Sequence, residues 1–434
     1  MKLIIIGAGP AGYTAAFTAA KAKWEVLLFT NHNLGGVCLN EGCIPTKSLL
    51  EDSFHLYKTQ LMDNELNPIK SVIPVYQHKS DIQLELQTNL EKALIASKVQ
   101  VIHSKVHFIS NTEVMDHEGH RYTADKFLIC TGAKPSSFIQ IDGALTSYEV
   151  LDQPITSKQS ILIIGAGVIG VELASFLRMM SHEVTLIELA PRILSQVPKE
   201  AAQTLDRELK RMGIQIFTNT KVDSYTKDSH YHIDFNNETH EYDQVIIATG
   251  RIANTNSLQL QNTDIETERG YIKVSSNFET SVKNIYACGD VAGSIQLAHV
   301  ASDQAEQLIH HLIDNTEILN KIIPYVIYTP LQIAYAGLSE EKAKELNINY
   351  KVKKVLFNSI AKQKIKINTR AYLKCLINEN YEMIGCEIVS SEASELISTC
   401  LVIMENKLDC REIHKTVYAH PSLSEVFKDI SFEL

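Results

Sequence analysis

Two stretches of the chain repeat one pattern of hydrophobic and polar positions. Each begins with a short apolar run typical of a buried strand, continues through a glycine turn into a helix rich in small residues, and ends in a second strand. The predicted elements are first strands at 3–6 and 161–164, helices at 13–22 and 171–180, and second strands at 25–29 and 183–187. The order strand, helix, strand predicts parallel, doubly wound sheets and therefore an α/β fold.

The turn in each copy has glycine at its first, third and sixth positions. The first glycine permits the tight turn, the second lets a pyrophosphate approach the backbone, and the third lets helix and strand pack closely. The phosphates then lie at the helix N-terminus. The glycines concerned are Gly7, Gly9 and Gly12 in the first copy and Gly165, Gly167 and Gly170 in the second. Two copies in the same context predict two Rossmann-like dinucleotide sites.

The residue that ends each second strand is placed to contact a ribose. In the second copy this residue is Glu188, which accepts hydrogen bonds from ribose hydroxyls and repels a 2′-phosphate, so it favours NAD over NADP. Arg192 lies near enough to hold a phosphate, which leaves the NADP alternative open. In the first copy the position is Thr30, where a carboxylate is expected.

Two dinucleotide sites in one chain indicate two dinucleotides that meet, most simply FAD and a nicotinamide nucleotide. Three more apolar strands end at polar or glycine positions, and these are Thr131-Gly132, Thr249-Gly250 and Gly289-Asp290. Asp290, at a strand end beside a glycine, is well placed to hold the ribityl chain of a flavin. The plainer alternative for it is a strand-ending turn.

Two cysteines lie in a segment marked by glycine and proline, at Cys38 and Cys43. Zinc fits this spacing badly, because four residues intervene and no second ligand pair is near. A helix is predicted to begin at about Ser48, and its dipole would favour a thiolate at Cys43. The pair is therefore interpreted as a redox-active disulfide beside the first nucleotide site. No metal site is expected.

The remaining six cysteines are predicted to be small core or near-surface residues. Each lies in apolar surroundings, where a thiol behaves as a small hydrophobic group. They are Cys130, Cys288, Cys375, Cys386, Cys400 and Cys410.

The segment Gly35-Gly36-Val37-Cys38 through Cys43-Ile44-Pro45-Thr46-Lys47 resembles the redox signature of the flavin-dependent pyridine nucleotide-disulfide oxidoreductases. The resemblance covers essentially the whole chain. It implies FAD and NAD as cofactors, with Gly36 and Ala298 among the FAD-binding residues and Gly250 among those that bind NAD. Within the family, the segments 39–45, 165–172 and 419–425 are most similar to members that oxidise dihydrolipoyl dithiols.

The resemblance also implies catalytic roles. Cys38 matches the thiol that exchanges with substrate, and Cys43 matches the thiol packed against the flavin. Lys47 matches a lysine near the flavin, and Glu172 the glutamate that pairs with it.

A histidine near the C-terminus completes the predicted active site. His420 precedes proline and is expected to be extended, with a helix from about Pro421 that lets Glu425 orient the imidazole. In the family this histidine serves the other subunit, so the resemblance implies a homodimer. It also implies a lipoyl-bearing acyltransferase of a 2-oxoacid dehydrogenase complex as partner.

Composition sets limits on these predictions. The 434 residues carry 41 lysines and arginines against 51 acidic residues, a net charge of −10, which argues against nucleic-acid and anionic-membrane surfaces. The apolar runs are too short to cross a bilayer, and a soluble cytoplasmic protein is expected.

We therefore predict an α/β fold with two Rossmann-like dinucleotide-binding domains, for FAD and NAD, and a C-terminal α+β dimerisation domain. The predicted segments are 1–145 and 268–322 for the FAD domain, 146–267 for the NAD domain and 323–434 for the dimerisation domain.

The predicted reaction is oxidation of a dihydrolipoyl dithiol through Cys38, Cys43 and FAD, with hydride transfer to NAD⁺. The main alternative is a related reductase that acts on glutathione, another small disulfide or Hg²⁺. Glu188 disfavours NADPH, and the C-terminal residues lack a second cysteine pair. A non-catalytic flavoprotein is the remaining alternative. Two departures from the family pattern are Thr30 and the pair Gln304-Ala305, where Glu-Gly is usual.

Overall fold

The computed structural model of the protein describes residues 1–62, 71–136, 138–293, 295–365 and 370–431. In chain order the strands are β1 (Lys2–Ile6), β2 (Glu25–Thr30), β3 (Gln100–His103), β4 (Val106–Ser110), β5 (Glu113–Asp116), β6 (Arg121–Thr123), β7 (Lys126–Ile129), β8 (Ala133–Pro135), β9 (Leu145–Thr146), β10 (Ser160–Ile164), β11 (Glu183–Ile187), β12 (Gln215–Phe217), β13 (Ser224–Lys227), β14 (Tyr231–Phe235), β15 (Glu238–Tyr242), β16 (Gln244–Ile247), β17 (Arg251–Ala253), β18 (Thr267–Glu268), β19 (Tyr271–Ile272), β20 (Ile285–Ala287), β21 (Pro324–Ile327), β22 (Gln332–Gly337), β23 (Lys351–Leu356), β24 (Tyr372–Ile377) and β25 (Met383–Ser390).

The α-helices are α1 (Pro10–Lys21), α2 (Gly36–Asn40), α3 (Cys43–Met62), α4 (Ile73–Ala96), α5 (Ser147–Asp152), α6 (Val168–Met179), α7 (Lys199–Arg211), α8 (Ala298–Asp314), α9 (Glu340–Glu345), α10 (Ala361–Ile365) and α11 (Ala393–Glu405). None of the helices formed by the described residues has the length and apolarity needed to span a bilayer.

The first glycine motif belongs to a five-stranded sheet in the order β20-β7-β1-β2-β3, in which every pairing is parallel. β1 lies at its centre and is buried from its second residue onward. A central parallel strand is covered on both faces, which explains why it is continuously apolar. Helices α1 and α8 cover one face, where alanines of both helices share one core with the sheet.

The second motif lies in a sheet of the same design. Its order is β12-β11-β10-β16-β9, and β10 pairs in parallel with both neighbours. The internal repeat is therefore a structural repeat, and the predicted α/β class with two doubly wound sheets is confirmed.

The C-terminal part forms an antiparallel sheet in the order β21-β22-β25-β24-β23. Helix α11 packs on it through Leu396, Ile397 and Cys400. Apolar and polar residues alternate in the sequence at 352–357, 371–377 and 383–389, a pattern that predicts strands. These segments correspond to β23, β24 and β25, with ends that differ by one residue at most. The predicted α+β character of the C-terminal part is confirmed.

Two predicted helix starts are wrong. The helix expected from about Ser48 begins at Cys43, because Pro45 falls in its first turn, where a missing N–H breaks no helical hydrogen bond. The helix expected from about Pro421 is a 3-10 helix over Leu423–Ser431. The six cysteines predicted to be inert are all buried.

The domain boundaries given above remain a prediction. The first parallel sheet draws its strands from two separate parts of the chain, since β20 joins the sheet of β1. The residues at 432–434, part of the C-terminal segment without a second cysteine pair, lie outside the described residues.

Candidate active site

The two candidate redox cysteines flank a short, tightly packed segment. Cys38 lies in the middle of α2, and Cys43 is the first residue of α3. The backbone enters α2 through Gly35 and Gly36, whose φ angles of 94° and 59° favour glycine. A Cβ atom on Gly36 would lie 2.6 Å from the Cα atom of Gly9, so this approach requires glycine at position 36. The first glycine motif and the cysteine segment are thus in backbone contact.

The surroundings of the two thiols shift their pKa values in opposite directions. Both are free thiols in this structure. A hydrogen bond from Cys38, assisted by the charge of Lys47 and opposed by burial, lowers the pKa of Cys43 to about 7. The same hydrogen bond and burial raise the pKa of Cys38. Cys43 also occupies the N-terminus of a 20-residue helix, where partial positive charge favours a thiolate.

Lys47 and Glu172 form an ion pair between separate parts of the chain. Lys47 Nζ lies 2.9 Å from Glu172 Oε2, and the carboxylate is buried. Glu172 Oε1 accepts a hydrogen bond of 2.9 Å from the backbone N–H of Tyr328, whose ring centroid is 4.7 Å from Lys47 Nζ. Although burial opposes its charge, the Glu172 carboxylate raises the pKa of Lys47. The lysine is therefore a fixed cation.

A cavity of about 2410 Å³ runs from the first glycine motif past the cysteines to the second motif. Drug-sized ligands occupy roughly 300–1,000 Å³, so this space suits two large ligands in contact. The sequence-predicted residues that line it are Gly7, Gly9, Thr30, Gly36, Cys38, Cys43, Lys47, Thr131, Gly132, Gly165, Gly167, Glu172, Glu188, Gly250, Gly289, Asp290 and Ala298. The structure thus brings most of the predicted site residues to one surface.

Two predicted glycines do not line the cavity. A Cβ atom on Gly12 would lie 1.8 Å from the carbonyl oxygen of Gly7, and one on Gly170 would lie 1.9 Å from that of Gly165. These glycines hold helix against strand, as expected for the third glycine of the motif.

The residues present fit a dinucleotide at each motif. Beside the first, the Thr131 hydroxyl is buried without a hydrogen-bond partner among the described residues. Burial raises the pKa of Asp290, an effect that Arg251 at 3.9 Å opposes. Beside the second, Glu188 accepts backbone hydrogen bonds from Ala166 and Ala190 at 2.7 and 2.8 Å, which hold its carboxylate at the cavity wall.

The two departures from the family pattern have different consequences. Gln304 Oε1 accepts a hydrogen bond of 2.9 Å from the N–H of Gly289, so the amide oxygen makes a contact that a carboxylate oxygen could also make. Thr30, by contrast, uses its hydroxyl locally, because Oγ1 donates to the carbonyl of His32 at 2.8 Å. The first site therefore has no carboxylate at the position that Glu188 occupies in the second.

His420 and Glu425 form a pair away from the cavity. His420 Nδ1 lies 2.9 Å from Glu425 Oε2, and the other carboxylate oxygen accepts the N–H of Ser422 at 2.8 Å. The hydrogen bond from His420 lowers the pKa of Glu425. The imidazole is 71% exposed, and neither residue lines the cavity of its own chain. The histidine is thus held by a carboxylate and faces outward.

Sequence reasoning missed Tyr328 and Asn40. Tyr328 supplies both the N–H bound to Glu172 and the ring beside Lys47. Asn40 binds three backbone carbonyls of its own segment. The position of Asn40 between the two cysteines was a usable signal. Tyr328 offered none, since its role depends on a contact 156 residues away in sequence.

Two doubly wound sheets whose glycine motifs share a cavity with a thiol pair define a dithiol–disulfide oxidoreductase that uses a flavin and a pyridine nucleotide. Residues 1–305 match the family described as pyridine nucleotide-disulphide oxidoreductase, and residues 323–430 match its dimerisation domain. The chain belongs to this family, whose members use FAD and NAD(P).

Individual relatives span nearly the whole chain. It is 32% identical to the dihydrolipoyl dehydrogenase of Chlamydia pneumoniae, covering 98% of this chain and 95% of the relative. It is 31% identical to that of Bacillus subtilis (strain 168), covering 99% and 97%. Among solved structures, the HOCl-induced flavoprotein disulfide reductase RclA from Escherichia coli matches with a TM-score of 0.90 at 26% identity, covering 100% of both chains.

Restoring the missing carboxylate tests the first site. Thr30→Glu is expected to tighten FAD binding on the order of tenfold, because hydrogen bonds from ribose hydroxyls to a charged acceptor contribute about 1.5–3 kcal/mol. The dissociation constant is measured by flavin fluorescence on protein stripped of FAD. Thr30→Gln, which lacks the charge, is the matched control, and unchanged or weaker binding by Thr30→Glu would contradict the assignment.

The lowered pKa predicts a single thiolate at neutral pH. In protein reduced with a dithiol, thiolate absorbance should rise with a midpoint near pH 7 as Cys43 ionises. Below that midpoint Cys43 is protonated. Cys38→Ala removes the hydrogen-bond donor, so the midpoint should move upward, toward the ordinary thiol value. A midpoint that is the same in Cys38→Ala and in the unmodified protein would show that the hydrogen bond does not stabilise the thiolate.

Proposed function

We propose that this protein is a dihydrolipoamide dehydrogenase that oxidises a dihydrolipoyl dithiol and reduces NAD⁺. The observation that carries this proposal is the polarised thiol pair, with the pKa of Cys43 near 7, beside a cavity whose second nucleotide site ends in Glu188. The carboxylate favours NAD over NADP. The names of the two curated relatives point to the same reaction.

The proposed chemistry begins with thiol–disulfide exchange. One thiolate of the substrate attacks Cys38 of the Cys38–Cys43 disulfide, and Cys43 leaves as a thiolate, which its low pKa favours. The second substrate thiol then attacks the mixed disulfide and releases Cys38 as a thiol. The substrate is oxidised to its cyclic disulfide, two electrons enter the cysteine pair, and one proton is left to be removed.

The remaining residues manage charge and protons. His420 of the partner subunit accepts the proton, oriented by Glu425 of that same subunit. FAD, which the first glycine motif and Asp290 would hold, would supply two-electron transfer between the thiols and NAD⁺. The fixed cation Lys47, held by Glu172, stabilises negative charge beside the first nucleotide site. The glycines and Asp290 hold the dinucleotides in place.

The proposal extends to assembly and location. The match to the family's dimerisation domain and the outward-facing His420 support a homodimer with shared active sites. A lipoyl-bearing acyltransferase of a 2-oxoacid dehydrogenase complex is the proposed partner, in the cytoplasm. The domain division at 145, 267 and 322 is part of the same proposal.

A second candidate is a reductase of another disulfide that takes electrons from NADH. The match of both full chains to RclA, described as a flavoprotein disulfide reductase, favours it. Glutathione-like disulfides and Hg²⁺ are the substrates to consider. For a disulfide substrate, the thiol exchange would be the same with the electrons flowing in reverse.

Substrate preference decides between the two. Purified holoprotein should reduce NAD⁺ with dihydrolipoamide, and far faster than it oxidises NADH or NADPH with glutathione disulfide. Cys43→Ser should abolish dithiol turnover while FAD stays bound, as seen in the flavin absorbance. A clear preference for glutathione disulfide, or normal turnover by Cys43→Ser, would overturn the proposal.

Mixed dimers test the shared site. Cys43→Ser and His420→Gln chains should each be inactive alone. Co-expressed in equal amounts, they should regain about a quarter of normal activity, since half of the dimers would be mixed and each would hold one intact site. If the histidine acted within its own chain, no combination would recover activity. Equal expression is checked with two different affinity tags.

A further inference from the structure

One face of α4 carries four polar side chains that donate hydrogen bonds to other segments of the chain. They occur at 76, 79, 83 and 87, spacings of three and four that place them on one side of the helix. Tyr76 Oη donates to the carbonyl of Val150 at 2.6 Å, and Lys79 Nζ donates to that of Leu151 at 2.9 Å. Both acceptors belong to α5, which follows the edge strand β9 of the second sheet. The first half of the face thus anchors α4.

The second half of this face reaches the cysteine segment. Gln83 Nε2 donates to the carbonyls of Leu39 and Asn40, at 3.1 and 2.8 Å. These are the last two carbonyls of α2, which have no helical partner to accept from, so Gln83 acts as a C-terminal cap supplied by another helix. One turn further along, Gln87 Nε2 donates to Asn40 Oδ1.

Asn40 in turn binds the backbone on the N-terminal side of Cys38. Its Nδ2 donates to the carbonyls of Gly36, Leu34 and Asn33 at 2.7, 3.0 and 3.4 Å. Because Gln87 binds the oxygen of the same amide, the amide is fixed in one orientation. The backbone on both sides of Cys38 is therefore held through α4, which is itself anchored to the second nucleotide unit.

We propose that Gln83 and Gln87 are positioning residues that hold the Cys38–Cys43 segment in the conformation needed for thiol exchange. This inference rests on the proposed function, because it assigns the residues a part in that same redox step. A disulfide requires its two Cα atoms within about 4.4–6.8 Å and a defined dihedral angle. A segment already held in place loses less conformational entropy when the bond forms. The hydrogen bonds from Gln83 and Gln87 therefore favour the disulfide over the open dithiol.

The same hydrogen bonds also affect the pKa of Cys43. The hydrogen bond from Cys38 is the largest influence that lowers the pKa of Cys43, and it depends on a short approach of the two sulfur atoms. A loosened segment would weaken it. Loss of either glutamine should thus shift two quantities together, the dithiol–disulfide equilibrium and the thiolate midpoint.

Gln83→Met and Gln87→Met test the proposal, because each keeps the size and helix propensity of the side chain and removes its N–H donors. Holoprotein is equilibrated with reduced and oxidised dithiothreitol. We expect the equilibrium to shift toward the dithiol form about fivefold to tenfold, the value of one lost hydrogen bond. The Cys43 midpoint should rise in the same variants. Gln83→Glu, which cannot donate and brings a negative charge to two carbonyls, should shift both further.

Gln77→Met is the matched control. Gln77 lies on α4, and among the described residues its side chain bonds to Asp81 of the same helix, at 2.9 Å. It should leave both quantities unchanged, and circular dichroism shows which variants fold. If the Gln83 and Gln87 variants match Gln77→Met in both measurements, the proposal is wrong. Since dithiothreitol is the probe, a protein that fails to oxidise dihydrolipoamide but shows these shifts would refute the proposed function alone.

Discussion

The active site depends on the ion pair between Lys47 and Glu172. Its two residues come from α3 and α6, and its carboxylate is also bound by the backbone of Tyr328 in the C-terminal part of the chain. Removing one partner would leave a buried charge without compensation, a change that destabilises strongly. The contact therefore aligns the cysteine helix, the second nucleotide unit and the antiparallel sheet.

The approach of two glycines has a comparable effect on the cysteines. Gly9 and Gly36 meet backbone to backbone, which brings the thiol segment against the turn of the first nucleotide site. Once there, the thiols differ because one begins a long helix and faces a fixed cation while the other donates the hydrogen bond. One low-pKa thiol is a good leaving group, and the other remains the exchanging group. The different surroundings of the two cysteines therefore give two identical side chains different roles.

Relatives and geometry agree on the class of reaction and leave the substrate to experiment. Disulfide exchange, flavin and pyridine nucleotide follow from family membership. The substrate depends on the surface around Cys38, part of which would come from a second chain that presents His420. A single chain holds His420 and Glu425 correctly oriented but outside its own cavity. Dimerisation is therefore the step that would complete the site.

The sequence by itself determined the repeat, the two parallel sheets, the glycines and the cysteine pair, because each depends on residues close together in the chain. The predicted start of the helix after the cysteines was wrong, because Pro45 is also compatible with a helix that begins at Cys43. The tertiary structure alone decided that the backbone of Tyr328 binds the carboxylate of Glu172. It also revealed that Gln83 and Gln87 of α4 bind the cysteine segment by hydrogen bonds. These contacts join distant segments, and only the packed fold brings them within hydrogen-bonding distance.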